Sequence, residues 1–219
     1  EEIIRAARTL APKILAAAST ELSKSGPEGT LWKSQRAALK HLIDSILNLE
    51  ERSVRDGFWP VKLEEPLSLD VKFGAAGLPL KLKGRIDRLD KGEDGSFRIV
   101  DYKLSDVGTL GQKKKKLGKT EFQLPVYAKA SLPPDLSPQT PVQLLYVSLR
   151  HAARVVEAWS GPVSEIDGHL RLSAIIEPLA AGRFDVTPVD ETLCAACDFR
   201  KACRIQQVLA PESDESGDA

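Results

Sequence analysis

Two strand-like segments on either side of a turn constrain the fold of this chain most. Residues 80–89 and 97–102 flank the segment KGEDG at 91–95, whose composition is typical of a tight turn. Residues 67–73 alternate apolar and polar side chains and end before the glycines of the segment 74–77. The pattern therefore predicts three consecutive antiparallel strands.

Helical patterns surround these strands and predict an α/β fold. Apolar side chains recur near the helical period over 1–19 and 31–54, and Pro12 is expected to break or kink the first run. The polar stretch after Tyr102, which contains four consecutive lysines, is expected to be a solvated loop. The remaining expected elements are helices over 120–130 and 163–179 and strands over 142–149 and 154–159.

Composition bounds the class of protein. The 219 residues are 42% hydrophobic and 28% charged, which is typical of a globular chain with one main domain. No run approaches the ~18 apolar residues of a membrane span, so we expect a cytoplasmic protein without a membrane partner. The formal net charge is zero, but residues 81–120 contain twelve basic and six acidic residues. The neutral total therefore conceals a basic middle region.

Polar residues on the predicted strands carry the first chemical hypothesis. Asp101 and Lys103 lie two residues apart on one strand and share a face, whereas Tyr102 points to the other face. Antiparallel pairing would bring Asp87 beside Asp101. Neighbouring carboxylates favour a divalent cation such as Mg2+, and a lysine beside them can meet a phosphate group. The alternative is an exposed ion pair on the sheet, but the apolar residues around Asp101 favour a buried strand.

Three motifs in this order carry a family resemblance. The segments GRIDRLD at 84–90, IVDYK at 99–103 and QLPVY at 123–127 resemble the RecB-like branch of the PD-(D/E)XK nuclease superfamily. The resemblance implies a restriction-endonuclease-like α/β core, with a central mixed sheet flanked by helices, that cleaves DNA with Mg2+ or Mn2+. The site residues that it implies are the catalytic and metal-binding Asp87 and Asp101, the metal-binding backbone carbonyl of Tyr102, the catalytic Lys103, and Gln123 and Tyr127, which line the site toward DNA.

A basic run and two acidic residues add further candidates. Because the lysine run follows the motif with the central aspartate, we expect it to contact DNA phosphates, although such runs are usually solvated surface segments. The family often has an additional glutamate on the strand before the first aspartate, and Glu64 or Glu65 is the candidate here. The candidate phosphate contacts are Lys113, Lys114, Lys115 and Lys116.

The three cysteines form a separate candidate metal site. Cys194, Cys197 and Cys203 have the spacing C-x2-C-x5-C, and such spacing brings thiolates to one metal in many zinc and iron–sulfur sites. The triplet resembles the AddB-type nuclease domain, in which a fourth cysteine upstream of the core completes a [4Fe-4S] cluster. Neither an upstream cysteine nor any methionine is present, so we expect an excerpt of a longer chain with an incomplete cluster. The family's N-terminal histidine ligand has no counterpart either, since His41 lacks the usual Gly-x-x-x-His setting.

These features together predict a metal-dependent deoxyribonuclease with exonuclease activity. The resemblance implies a part of an AddAB-like helicase-nuclease in double-strand break repair, with DNA and an AddA-like subunit as partners. The alternatives are an inactive DNA-binding module on the same fold and a free-standing RecB-like exonuclease. No Gly-x-x-x-x-Gly-Lys-Ser/Thr loop signals a helicase. The expected segments are helical over 1–58, nuclease core over 59–185, cysteine-bearing over 186–208 and a disordered acidic tail over 209–219.

Overall fold

The computed structural model describes residues 2–25, 30–73, 78–169, 173–183 and 191–203 of the chain. The chain divides into two compact units. They comprise Glu1–Lys72 with Pro79–Arg171, and Phe73–Leu78 with Leu172–Ala219. All candidate site residues except the cysteines belong to the first unit.

The first unit begins with two helices, α1 over Glu2–Ser25 and α2 over Thr30–Arg55. The expected break at Pro12 is wrong, because α1 continues through this residue. Pro12 is exposed, so water can satisfy the backbone carbonyl that loses its amide partner there. Arg8 of α1 forms an ion pair of 2.9 Å with Glu51 of α2, which joins the two helices.

Five strands follow and form one sheet in chain order. They are β1 Phe58–Phe73, β2 Leu78–Gly92, β3 Phe97–Lys103, β4 Pro141–Ser148 and β5 Arg154–Pro162. β2 and β3 pair antiparallel, β3 and β4 parallel, and β4 and β5 antiparallel. The expected α/β fold with a mixed sheet and flanking helices is therefore confirmed.

A tight turn at 91–95 sets the register between β2 and β3. Gly95 has a φ of 83°, which favours glycine. Asp94 accepts hydrogen bonds from the backbone amide and the hydroxyl of Ser96, and these bonds lower the pKa of the Asp94 carboxyl. The turn therefore fixes which residues of the two strands lie opposite each other.

A crossover connection joins the parallel strands β3 and β4, as parallel pairing requires. It contains α3 over Val107–Lys115 and α4 over Gln123–Ser131. Asp106 caps α3, because its carboxylate accepts a hydrogen bond from the backbone amide of Thr109. The expectation of a loop through the lysine run is wrong, since its first three lysines form the last turn of α3. Their charge complements the partial negative charge of the helix C-terminus.

Apolar side chains pack against both faces of the sheet. On β3, Ile99 belongs to the larger core cluster together with Leu110 of α3 and Leu124 of α4. The next residue, Val100, belongs to a second cluster, against which Leu49 of α2 packs. The alternation along β3 therefore places α3 and α4 over one face and α2 over the other.

The segment after β5 departs from the expected single helix over 163–179. Val163–His169 is a 3-10 helix, and Gly168 within it lowers the propensity for an α-helix. The remaining elements are α5 over Ser173–Ala180, a second 3-10 helix over Glu191–Ala196 and α6 over Arg200–Cys203. The expected tail over 209–219 lies outside the described residues. Among the helices described, none is long and apolar enough to cross a lipid bilayer.

Candidate active site

The pairing of β2 with β3 brings two carboxylates together. Arg88 lies opposite Val100 in the antiparallel register, and Asp87 and Asp101 are the residues next to this pair on the two strands. Oδ2 of Asp87 accepts a hydrogen bond of 2.8 Å from the backbone amide of Tyr102. Asp87 is therefore held against β3 at the residue that follows Asp101.

Asp101 is buried, with 1% of its surface exposed. Burial is the main cause that raises the pKa of its carboxyl; Lys103 opposes this effect, and the charge of Asp87 adds to it. Nζ of Lys103 lies beside Oδ2, whereas Oδ1 has no hydrogen-bond donor within the described residues. The free lone pairs of Oδ1 are therefore available to ligate a cation.

Lys103 links Asp101 to α4. Its Nζ lies 2.7 Å from Oδ2 of Asp101 and donates a hydrogen bond of 3.0 Å to Oε1 of Gln123. An ammonium group only donates, so it fixes which end of the Gln123 amide faces it. Nε2 of Gln123 then donates a hydrogen bond of 2.7 Å to the hydroxyl of Tyr127, one turn along α4. The four side chains form one connected row from β3 to α4.

The lysine run divides between the site and solvent. Lys113 is partly buried and forms an ion pair of 2.6 Å with Glu121. Its charge opposes the rise that burial causes in the pKa of Asp101. Lys114 and Lys115 are exposed, and Lys116 is the C-terminal cap of α3. The structure therefore brings the first lysine toward the carboxylates and leaves the next two in solvent.

Sequence reasoning missed two residues near the carboxylates, Glu121 and Tyr146. Glu121 lies two residues before Gln123 and holds Lys113. Tyr146 is the register partner of Asp101 on β4 and is fully buried. The position of Glu121, two residues before Gln123, could have indicated it as a site residue. Tyr146 becomes a neighbour of Asp101 only through the pairing of β3 with β4.

The side chain of Tyr102 lies on the opposite face of β3, in a polar network. Its hydroxyl accepts a hydrogen bond of 3.2 Å from Arg88, which also binds Asp90 and Glu50 of α2. Burial alone would lower the pKa of Arg88, but the bonds to both carboxylates outweigh it and raise the pKa. This network therefore connects α2 to the strands that carry Asp87 and Asp101.

The two candidate glutamates of β1 lie on the surface. Glu64 pairs with Arg85, and Glu65 pairs with Lys62. Glu64 also has a φ of 49°, in the left-handed region. The contacts that the structure gives these residues do not connect them to Asp101.

The cysteines lie in the second unit. Cys194 and Cys203 are partly buried, Cys197 is exposed, and all three are free thiols. The backbone amide of Arg200 donates a hydrogen bond of 3.1 Å to the carbonyl of Cys197, which joins the 3-10 helix to α6. The structure gives no coordinating arrangement of these thiols, so the iron–sulfur assignment stays a prediction.

The donor set of the first unit fits a magnesium-type ion. In the parts of the chain that are described, no group of three His, Cys, Asp or Glu side chains could hold a metal ion. Mg2+ is commonly held by one or two carboxylates, with waters and substrate phosphates as the other ligands. Asp87 and Asp101 supply two carboxylates of this kind, and Oδ1 of Asp101 has no donor among the described residues. The two carboxylates therefore suit Mg2+ or Mn2+, which keep water and phosphate ligands, better than a metal ion whose ligands are all protein side chains.

The chain can be assigned to a known superfamily. The sequence matches the model of the PD-(D/E)XK nuclease superfamily over residues 1–204. The chain therefore belongs to the PD-(D/E)XK nuclease superfamily, which confirms the family resemblance of its three motifs. Nucleases of this superfamily generally use divalent metals.

Two individual proteins show more limited similarity. One subunit of the ATP-dependent helicase/deoxyribonuclease of Bacillus subtilis (strain 168) is 40% identical over 72 residues, which cover 27% of this chain and 6% of that protein. The matched region thus spans a small part of that relative's length. The crystal structure of SSO0001 aligns with 92% of this chain and 96% of its own at 17% identity. Its TM-score of 0.32 is too low to support an argument about fold or function.

Proposed function

We propose that this chain is a metal-dependent deoxyribonuclease that hydrolyses phosphodiester bonds. The observation that carries the proposal is the buried carboxylate of Asp101, whose Oδ2 lies 2.7 Å from the ammonium of Lys103 while its Oδ1 has no hydrogen-bond donor among the described residues. A buried carboxylate with one free oxygen beside a fixed cation suits a reaction in which a metal ion and a phosphate meet. Membership of the superfamily supports the same reaction class.

Each residue of the proposed site has a separate role in hydrolysis. Asp87, Asp101 and the backbone carbonyl of Tyr102 would hold Mg2+ or Mn2+, which when bound polarises the phosphate and lowers the pKa of a water. Lys103 orients the attacking water and stabilises the negative charge that develops on the phosphoryl oxygens. Gln123 holds the Lys103 ammonium in place, and its own orientation is fixed by the Tyr127 hydroxyl.

The exposed part of the crossover supports DNA as the substrate. Lys114 and Lys115 end α3 in solvent, on the same connection that carries Gln123 into the site. Exposed lysines bind phosphates and release counterions, so they supply affinity for any sequence. We therefore expect DNA to contact the basic C-terminal end of α3 near the site.

The local similarity to one subunit of a helicase/deoxyribonuclease supports a finer assignment. In this assignment the chain is the nuclease part of an AddAB-like enzyme, with exonuclease activity in double-strand break repair and an AddA-like partner. Cys194, Cys197 and Cys203 would then contribute three ligands to a [4Fe-4S] cluster. Iron–sulfur absorbance in the visible region tests this assignment, and a colourless protein contradicts it.

Cleavage of labelled single- and double-stranded DNA with Mg2+ and Mn2+ tests the reaction. We expect Asp101→Ala to lose at least about 10²-fold in rate, the scale of removing one group that stabilises the transition state. Asp135→Ala is the matched control, because Asp135 is exposed in the loop after α4. An Asp101→Ala protein that cuts DNA at the parent rate would overturn the proposed site. Salt-sensitive DNA binding without any cleavage by the parent would favour a binding module instead.

A further inference from the structure

Tyr146 lies beside Asp101 in the sheet. The two residues are register partners on the parallel strands β3 and β4, and such partners present their side chains on the same face. Both are buried, with 0% and 1% of their surfaces exposed. Tyr146 also belongs to the core cluster that contains Leu110 of α3 and Leu124 of α4. Core packing therefore fixes the position of its ring and of the hydroxyl at the end of the ring.

The Tyr146 hydroxyl and Oδ1 of Asp101 each lack a hydrogen-bond partner among the residues described, whereas Oδ2 of Asp101 is paired with Lys103. Buried polar groups are nearly always hydrogen-bonded, so an unpaired donor beside an unpaired acceptor indicates an unseen bridging group. Burial first, and then the charges of Glu121 and Asp101, raise the pKa of the Tyr146 hydroxyl. The hydroxyl therefore keeps its proton and can donate it to a hydrogen bond.

We propose that Tyr146 is a positioning residue, whose hydroxyl bonds through one water to the Asp101 carboxylate and thereby sets the affinity of the site for a divalent cation. This inference rests on the proposed function, because it takes Asp101 as a metal ligand. Groups that orient a metal ligand are typically worth about 10- to 100-fold in metal affinity. Tyr146 acts on Asp101 as a neutral donor, whereas Lys103 acts on the same carboxylate as a cation.

Glu121 is the other carboxylate that acts on Tyr146. It is already held by Lys113, whose Nζ lies 2.6 Å from one of its oxygens. Asp101 is likewise held by a lysine at one oxygen, but it is the more buried of the two carboxylates and its Oδ1 has no donor among the described residues, whereas Glu121 is reached by solvent. The unpaired hydroxyl therefore serves Asp101 better than Glu121.

The test compares Tyr146→Phe with Ser131→Ala. Ser131 is also buried and also has a hydroxyl without a partner in the described structure, but it lies at the end of α4. Manganese electron paramagnetic resonance gives the dissociation constant for Mn2+, and circular dichroism gives the Tm without metal. We expect Tyr146→Phe to weaken Mn2+ binding ~10-fold or more with no loss of metal-free Tm, and Ser131→Ala to keep the parent affinity. A Tyr146→Phe affinity within about twofold of the parent overturns the inference, since the expected loss is about 10-fold.

Two additional measurements separate this inference from the proposed function. If Asp101→Ala binds Mn2+ as the parent does, the proposed metal site itself fails. If Asp101→Ala loses Mn2+ binding but Tyr146→Phe does not, only the role of Tyr146 fails. The chain has three tyrosines, so labelling with tyrosine-13Cζ gives three signals, which Tyr102→Phe and Tyr127→Phe assign by elimination. In the unsubstituted protein, Mg2+ is expected to shift the Tyr146 signal, and a signal unchanged at saturating Mg2+ contradicts the inference without any substitution of Tyr146.

Discussion

The ammonium of Lys103 lies 2.7 Å from the carboxylate of Asp101, two residues earlier on the same strand, and it also donates to Gln123 on α4. A lysine held by two acceptors presents its charge at one defined point. The ammonium lies beside the carboxylate that we propose as a metal ligand. In the proposed mechanism this charge acts on the reacting phosphate.

Replacement of Lys103 by alanine should separate metal binding from cleavage. We expect Lys103→Ala to cut DNA about 10² to 10³-fold more slowly, because it removes a fixed charge that stabilises the transition state. Mn2+ affinity should not fall, because a positive charge beside Asp101 is lost. Cleavage kinetics and Mn2+ titration of the same protein measure both effects. Lys91→Ala is the control, since Lys91 is exposed near the end of β2, and equal rates for both variants would contradict the role of Lys103.

Replacement of Arg88 should destabilise the fold strongly. Its side chain is 6% exposed and forms ion pairs with Glu50 and Asp90. Arg88→Met would leave both carboxylates without this partner, so we expect a loss of about 3 to 5 kcal/mol in the free energy of unfolding. Urea unfolding at neutral pH measures the loss.

Arg85→Met provides the comparison for Arg88. Arg85 is 67% exposed and pairs with Glu64 on the surface, so its replacement should cost at most about 1 kcal/mol. A similar loss for both variants would mean that the Arg88 network contributes no more than a surface ion pair.

The burial of Asp101 predicts a pH-dependent difference between the metal-free parent and Asp101→Asn. The pKa of Asp101 is raised in the folded state, so in the parent the folded state binds this proton more tightly than the unfolded state. Below the pKa of the unfolded state, about 3.9 for aspartate, the carboxyl is protonated in both states and charge burial costs nothing. As the pH rises through the folded-state pKa, the parent loses this stability, whereas an amide does not titrate.

Thermal unfolding of both proteins from acidic to neutral pH measures this difference. We expect the Tm of Asp101→Asn relative to the parent to rise with pH across this window. Asp94→Asn should give the opposite trend, because hydrogen bonds to Ser96 lower the pKa of Asp94 in the folded state. A difference between Asp101→Asn and the parent that stays constant with pH would show that Asp101 titrates as it does in the unfolded chain.

The two exposed lysines of α3 should control how DNA binding responds to salt. We expect Lys114→Ala and Lys115→Ala each to weaken binding to any sequence and to reduce the slope of log affinity against log salt by about 1. Fluorescence anisotropy with labelled DNA at several salt concentrations gives the slope. Lys13→Ala, on the exposed surface of α1, should leave it unchanged. Parent-like slopes for both α3 variants would mean that this helix end does not touch phosphates.

The local parts of the site could be predicted because short-range geometry determines them. Two-residue spacing places Asp101 and Lys103 on one face of a strand, and four-residue spacing places Gln123 and Tyr127 on one face of a helix. The turn at 91–95 fixes the register that brings Asp87 beside Asp101. Each of these relationships requires only the geometry of one helix, one strand or one hairpin.

Helix α3 and the position of Tyr146 could not be predicted, because they depend on information that local sequence patterns do not contain. Gly108 and Gly111 reduce the helical propensity of the lysine segment, so α3 was not predicted. The cap by Asp106 and the burial of Leu110 outweigh this propensity. Tyr146 is separated from Asp101 by the whole crossover, and parallel pairing between distant segments has no sequence period.

The residues of the site come from two parts of the chain, the β2–β3 hairpin and the crossover between β3 and β4. One hairpin supplies Asp87, Asp101 and Lys103, whereas the returning connection supplies Lys113, Glu121 and Gln123. Because hairpin pairing does not depend on the length of the connection, residues can be inserted in the loop before β4 without altering the carboxylates. A chain built in this way can therefore lengthen one loop while the carboxylates of the hairpin and the contact between Lys103 and Gln123 stay in place.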